Sequence, residues 1–235
     1  MNLFHREIQD VCSLFEPQTK RELPIADRLP KDLGKNNMVF SDQSAFELGG
    51  GTNASVSFDL PGAEEGLIDR DKIVLIGRDL NELQGDVSFA RITLLEIADD
   101  GLKGDALYDR LEKIKFTKYR VNPEGYMLRT ASGNREKVRV SKSCAKQFGF
   151  SEIGSCYMQA YHQLPFVKKV MIFFVTGEDE LVKPLAEIGE RKRQITDAID
   201  HILKGMAVND CNACSVKELC DQVEGMRELH GRQPK

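Results

Sequence analysis

The sequence predicts an α+β protein, with a mixed β-sheet, packed helices and a small C-terminal cysteine-cluster segment. Three observations carry that prediction. Apolar runs of strand length, KIVLIG, RITLLEI and KKVMIFFVT, lie between stretches whose apolar residues recur at helical spacing. Strands and helices are interspersed without strict alternation, which favours a mixed sheet. Three cysteines crowd together near the C-terminus, beyond the last long helical stretch.

The elements follow in order. Ile8, Val11, Cys12 and Phe15 recur at helical spacing and predict a short amphipathic helix in the first twenty residues. The polar stretch from Glu16 to Lys35 contains Pro17, Pro24 and Pro30, cannot sustain a helix, and reads as an arm or linker. In FELGGGTNASVSFDL, Val56, Phe58 and Leu60 alternate with polar residues, the pattern of a half-buried strand. Gly49 to Gly51 form the bend that leads into it, either as a turn needing positive φ or as a point of close backbone approach.

KIVLIGRDL is a buried strand ending at Gly77, and RITLLEI is another. Asp105 to Lys115 places Leu107, Leu111 and Ile114 on one helical face. Lys137 to Val140 is a short strand. Ser151 suits the N-cap of a helix running to about Gln163, with Ile153, Cys156, Ala160 and Leu164 on its inner stripe. Lys168 to Thr176 is the most hydrophobic strand. Thr176 and the acidic Glu178, Asp179 and Glu180 open a long helical region that closes at Gly205. The chain thus divides into an N-terminal helix and arm (1–37), an α+β domain (38–205) and a cysteine-bearing segment (206–235).

Composition narrows the function classes. With 33 basic and 37 acidic residues the net charge is −4, and no basic run suggests a nucleic-acid surface. Arg191-Lys192-Arg193 reads as a solvated helix face. The opening MNLFHREIQD meets charge early and forms no signal peptide, and Val170 to Val175 is far short of the roughly 20 residues of a membrane span. A cytoplasmic protein without membrane or nucleic-acid partners is expected. In that reducing compartment six cysteines do not form a disulfide framework, and the three near the C-terminus point to metal.

Those three are Cys211, Cys214 and Cys220, in CNACSVKELC. Two cysteines separated by two residues bring both sulfurs to one centre, and a third with five residues between reaches it from the next stretch of chain. Thiolates select zinc or iron–sulfur clusters over harder ions. Cys12 and Cys156 fall on apolar helical stripes and read as core residues, since free cysteine packs as a small hydrophobe. Cys144 shows no pattern, and His162 caps its helix or faces solvent.

The runs FELGGGTNASVSFDL, KIVLIGRDLNEL, FTKYRVNPEGY, KVRVSKSC and KKVMIFFVT, leading through a charged helix to CNACSVKELC, resemble the beta subunit of carbon monoxide dehydrogenase/acetyl-CoA synthase. The similarity is to its middle domain and the opening of its metal-bearing last domain, over roughly residues 44–231. It implies a 4Fe-4S cluster rather than zinc, with Cys211, Cys214 and Cys220 matching the first three of four cysteine ligands. The family's fourth cysteine follows its third by ten positions. Here that position is His230, flanked by Leu229 and Gly231, which makes His230 the candidate fourth ligand. The family's downstream Cys-Gly-Cys motif for the distal nickel does not occur in these 235 residues, so nickel is not expected. The family tryptophan associated with coenzyme A has no counterpart, since the sequence contains none.

The resemblance therefore implies an iron–sulfur cluster-binding protein, auxiliary or electron-transferring, in anaerobic one-carbon or corrinoid metabolism, with a redox or corrinoid-protein partner. A minimal acetyl-CoA-synthase-like enzyme and a zinc-stabilised interaction module are the alternatives, and homo-oligomerisation is left open.

Overall fold

The computed structural model describes residues 3–40, 44–98, 107–130 and 134–203. Among the described residues there are five α-helices: α1 (His5–Phe15), α2 (Leu107–Thr117), α3 (Lys142–Ala145), α4 (Phe150–His162) and α5 (Asp179–Leu203). Its strands are β1 (Arg21–Leu23), β2 (Ala45–Leu48), β3 (Ser55–Gly62), β4 (Lys72–Gly77), β5 (Phe89–Ile97), β6 (Tyr126–Thr130), β7 (Lys137–Ser141) and β8 (Val167–Thr176). The α+β class with a mixed sheet is what the structure shows. No helix among the described residues is long and apolar enough to cross a membrane.

The main sheet has the order β1-β4-β8-β5-β3. Its inner pair, β5 and β8, is antiparallel, while β4–β8 and β3–β5 are parallel and β1–β4 is antiparallel. Burial on both faces explains why β4, β5 and β8 read as continuous apolar runs rather than as alternating ones. A smaller antiparallel sheet, β2-β7-β6, holds Glu47 between Arg129 and Arg139.

Helices cover both faces of the main sheet. On one side Phe150 of α4 stacks on Phe174 of β8, with ring centroids 4.4 Å apart. On the other, Phe15 of α1 meets Phe173 of β8 at 4.7 Å, and α5 runs over β3. That second contact depends on Gly189: a Cβ there would lie 2.9 Å from the Phe58 ring and 3.2 Å from the Asn134 amide. The glycine bend before β3 satisfies both of its readings at Gly49. Its φ is +70°, and a Cβ would stand 2.3 Å from that of Ser55.

Several expectations need correction. The arm contains a strand, β1, which pairs with β4 through Arg21↔Leu75 and Leu23↔Ile73. Three residues at a sheet edge carry too little periodicity to register in a sequence. β3 is buried on both faces rather than half-buried, because Glu136, Arg91 and Tyr161 of α4 close over the side bearing Ser57 and Asp59. Helix α4 is capped at Gly149, whose N–H donates to Glu152 at 2.8 Å, and Ser151 instead donates to the Pro24 carbonyl at 2.6 Å. Its inner stripe is Phe150, Ile153, Tyr157 and Tyr161, so Cys156 is half-buried at the margin. Cys12 is exposed, since the inward side of α1 is Ile8, Val11 and Phe15 together with Glu7.

The triplet 191–193 is not one solvated face. Consecutive helical side chains diverge by about 100°, and these three go separate ways. Arg191 reaches Asp10 and Glu7 of α1, Arg193 pairs at the surface with Glu190 and Asp197, and Lys192 is buried.

Candidate functional site

A charge cluster lies under α4, at the edge of the main sheet. The parallel register sets Ser57 beside Arg91 and Asp59 beside Thr93, so four polar side chains share one face of β3 and β5. Arg91 is fully buried. Its guanidinium forms a fork with Glu136, Nε to Oε1 at 3.1 Å and Nη2 to Oε2 at 2.9 Å. Nη1 donates to Thr93 at 2.9 Å and to Asp59 at 3.2 Å. The Tyr157 ring lies 4.5 Å beneath the guanidinium carbon, and the Tyr161 hydroxyl donates to Asp59 at 2.6 Å. Ser57 donates to the second Glu136 oxygen at 2.6 Å. Glu136 comes from the residue just before β7, so the small sheet delivers one half of the fork.

The fork shifts both partners. Burial alone would lower the Arg91 pKa, but the Glu136 carboxylate, the two tyrosines and Asp59 together hold it well above the usual value. Burial alone would raise Glu136, and Arg91 overrides it and holds the carboxyl below its usual range. Two carboxylates against one guanidinium leave this cluster one negative charge in excess.

Two lysines lie beside it. They line a cavity of about 190 Å³ along the outer edge of β3, whose other walls include Ser57, Asp59, Lys115, Tyr119, Asn134, Arg193 and Thr196. Lys118 follows α2 in a short 3-10 turn and Lys192 stands on α5; they are only 6% and 9% exposed. Neither ammonium has a hydrogen-bonded or ion-paired partner among the described residues, although the Lys192 Nζ lies 5.9 Å from the centre of the Phe4 ring. Desolvation pushes both pKa values down; Glu136 opposes this at Lys118 and Asp59 at Lys192. The other cations at the cavity are engaged, Lys115 with Glu112 at 2.9 Å and Arg193 with Asp197 at 2.6 Å.

A second cavity, of about 160 Å³, lies between α4 and the loop around Pro123 and is lined in part by Cys156. Burial, helped by Asp32 and Glu152, pushes the Cys156 thiol up to about 11, so it is protonated and weakly nucleophilic at neutral pH.

Cys211, Cys214, Cys220 and His230 lie outside the described residues. Among the described residues no group of three or more His, Cys, Asp or Glu side chains is arranged to hold a metal ion. His162, near the end of α4, is partly exposed and pairs with Asp71 at 2.8 Å. The Arg91 cluster and its lysines escaped the sequence reading. Its signal was present: a lone arginine inside FARITLLEI and a lone aspartate inside SFDL, each in a strand too apolar to leave a charge unpartnered. A scan against models of known protein families finds no match for this chain, and a search of the curated proteins finds none either.

Proposed function

We propose that this chain is an iron–sulfur cluster-binding protein related to the beta subunit of carbon monoxide dehydrogenase/acetyl-CoA synthase. It serves as an auxiliary or electron-transfer protein in anaerobic one-carbon or corrinoid metabolism. The observation that carries this reading is the spacing of Cys211, Cys214 and Cys220 just after a long helical stretch. Thiolates so placed suit zinc or an iron–sulfur cluster, and the resemblance to the beta-subunit family favours the 4Fe-4S cluster. Cytoplasmic residence fits the same reading, because a reducing compartment keeps the cysteines available as thiolates. His230 is the proposed fourth ligand, and the partner is a redox or corrinoid protein.

Protein produced in iron-replete anaerobic culture should carry iron and acid-labile sulfide in near-equal amounts. Stoichiometric zinc without sulfide would overturn the reading and leave a structural zinc module. Cys211→Ser and Cys214→Ser should abolish the cluster yet preserve the cooperative thermal transition. The hydrophobic core runs from Phe4 to Ile199 and is closed by its own apolar side chains.

A further inference from the structure

Among the described residues, Lys118 and Lys192 are the charged groups at the β3-edge cavity with no hydrogen-bonded or ion-paired partner, and the Lys118 Nζ lies 5.5 Å from the centre of the Tyr119 ring. Arg91, Lys118 and Lys192 face Asp59 and Glu136, so three cations meet two carboxylates and one positive charge remains. Glu136 and the Oδ1 atom of Asp59 already accept hydrogen bonds from Arg91, Tyr161 and Ser57, while Asp59 Oδ2 accepts none from a described residue. A lysine over nine-tenths buried, or close to it, is costly unless its charge is met. Two of them line the same cavity.

We propose that this cavity binds a phosphate-class oxyanion, either the free ion or the terminal phosphate of a small phosphoester, held between Lys118 and Lys192. The donor set selects this chemistry. An ammonium recognises phosphate as a compact point charge, whereas a planar carboxylate is best gripped by an arginine fork. Here the arginine forks are consumed by Glu136 and by Glu190. Asn134, whose amide makes no hydrogen bond to another described residue, supplies a neutral donor on the same wall. The volume of about 190 Å³ is several times that of one water, about 30 Å³, and admits the anion with part of its hydration. At the opening stands Tyr119, 46% exposed, against which the carbon portion of a phosphoester would rest. The bound anion would meet the charge of both ammonium groups.

The test is calorimetric titration and phosphorus NMR on the full-length chain at constant ionic strength. The probes are inorganic phosphate, glycerol 3-phosphate and succinate. Saturable binding of either phosphate probe supports the site: inorganic phosphate alone identifies the free ion, and glycerol 3-phosphate alone identifies an ester terminus. Lys192→Met and Lys118→Met should each weaken that binding about tenfold or more, the factor carried by one charge-assisted hydrogen bond. Methionine keeps the length and apolarity of the stem, so circular dichroism should show an unchanged fold. If a variant does not fold, Asn134→Ala, with an expected smaller loss, replaces it. Binding of neither phosphate probe, preference for succinate, or wild-type affinity in the double lysine variant overturns the proposal. None of these substitutions touches Cys211, Cys214, Cys220 or His230, so iron content should not change with them and the outcome is read independently of the cysteine segment.

Discussion

A guanidinium without solvent contact survives folding only when its charge and its donors are met, and at Arg91 that duty falls on Glu136 and Asp59. Arg91→Met removes the cation and strands two buried carboxylates, so a loss of about 3–5 kcal/mol is expected in urea unfolding. Arg91→Lys retains the charge without the fork and should recover only part of that loss. The pH dependence follows from Glu136. Its folded pKa lies below the ordinary value of 4.5, so the folded state binds fewer protons there than the unfolded chain. The stability it contributes is complete above about pH 4.5 and is lost as pH falls through the lower folded value. Stability measured against pH should show that acid loss in the wild type and a shallower one in Glu136→Gln. At the same scale, His230 is tested by comparing His230→Ala with His230→Cys. A neutral imidazole on iron raises cluster potentials relative to thiolate and titrates near neutrality. His230→Cys should therefore lower the midpoint potential and remove its pH dependence; unchanged spectra and potential in both variants would exclude the histidine as a ligand.

Elements differ in how much of themselves they reveal in sequence. β4, β5 and β8 are buried on both faces, and continuous apolarity announces them. β1 and β2 are three and four residues long and held by pairing, which composition does not encode. The inner face of α4 is ambiguous in sequence because Cys156 and Ala160 are as apolar as Tyr157 and Tyr161, and only contact with the sheet decides between the stripes. The candidate sites divide in the same way. Cysteine spacing is a local pattern and can be read directly, whereas the Arg91 cluster joins β3, β5, α4 and the start of β7 from positions 57 to 161. The seat of α4 on β4 gives a sharp check. A Cβ at Gly154 would lie 2.9 Å from Ile73 Cδ1 and Cγ2, so Gly154→Ala sets a helix-propensity gain of about 1 kcal/mol against overpacking of about 1–3 kcal/mol. Net destabilisation is expected. Ile73→Val, which removes one of the crowded carbons, should relieve part of it in a double-mutant cycle of thermal unfolding.

At the scale of the whole molecule, helices on both faces enclose the main sheet, and the first helix and arm share the core of the residues that follow. Leu23 on β1 and Phe15 on α1 belong to the same buried cluster as Phe173 and Ile188. The order of the strands has one more consequence, for the chain as it is made. β8 occupies the middle of the main sheet yet is the last of the described strands to be synthesised, and among them it is the one that joins β4 to β5. Until it leaves the ribosome the sheet is two separate fragments, β1–β4 and β3–β5, each with an exposed, apolar inner edge. Closing it requires contacts between positions about a hundred residues apart, such as Lys72 with Met171, and such long-range pairing slows folding. The nascent chain therefore carries open strand edges from the completion of β4 at Gly77 until β8 is made at Thr176, which makes that interval, rather than the finished fold, the stage most exposed to aggregation and most dependent on chaperones.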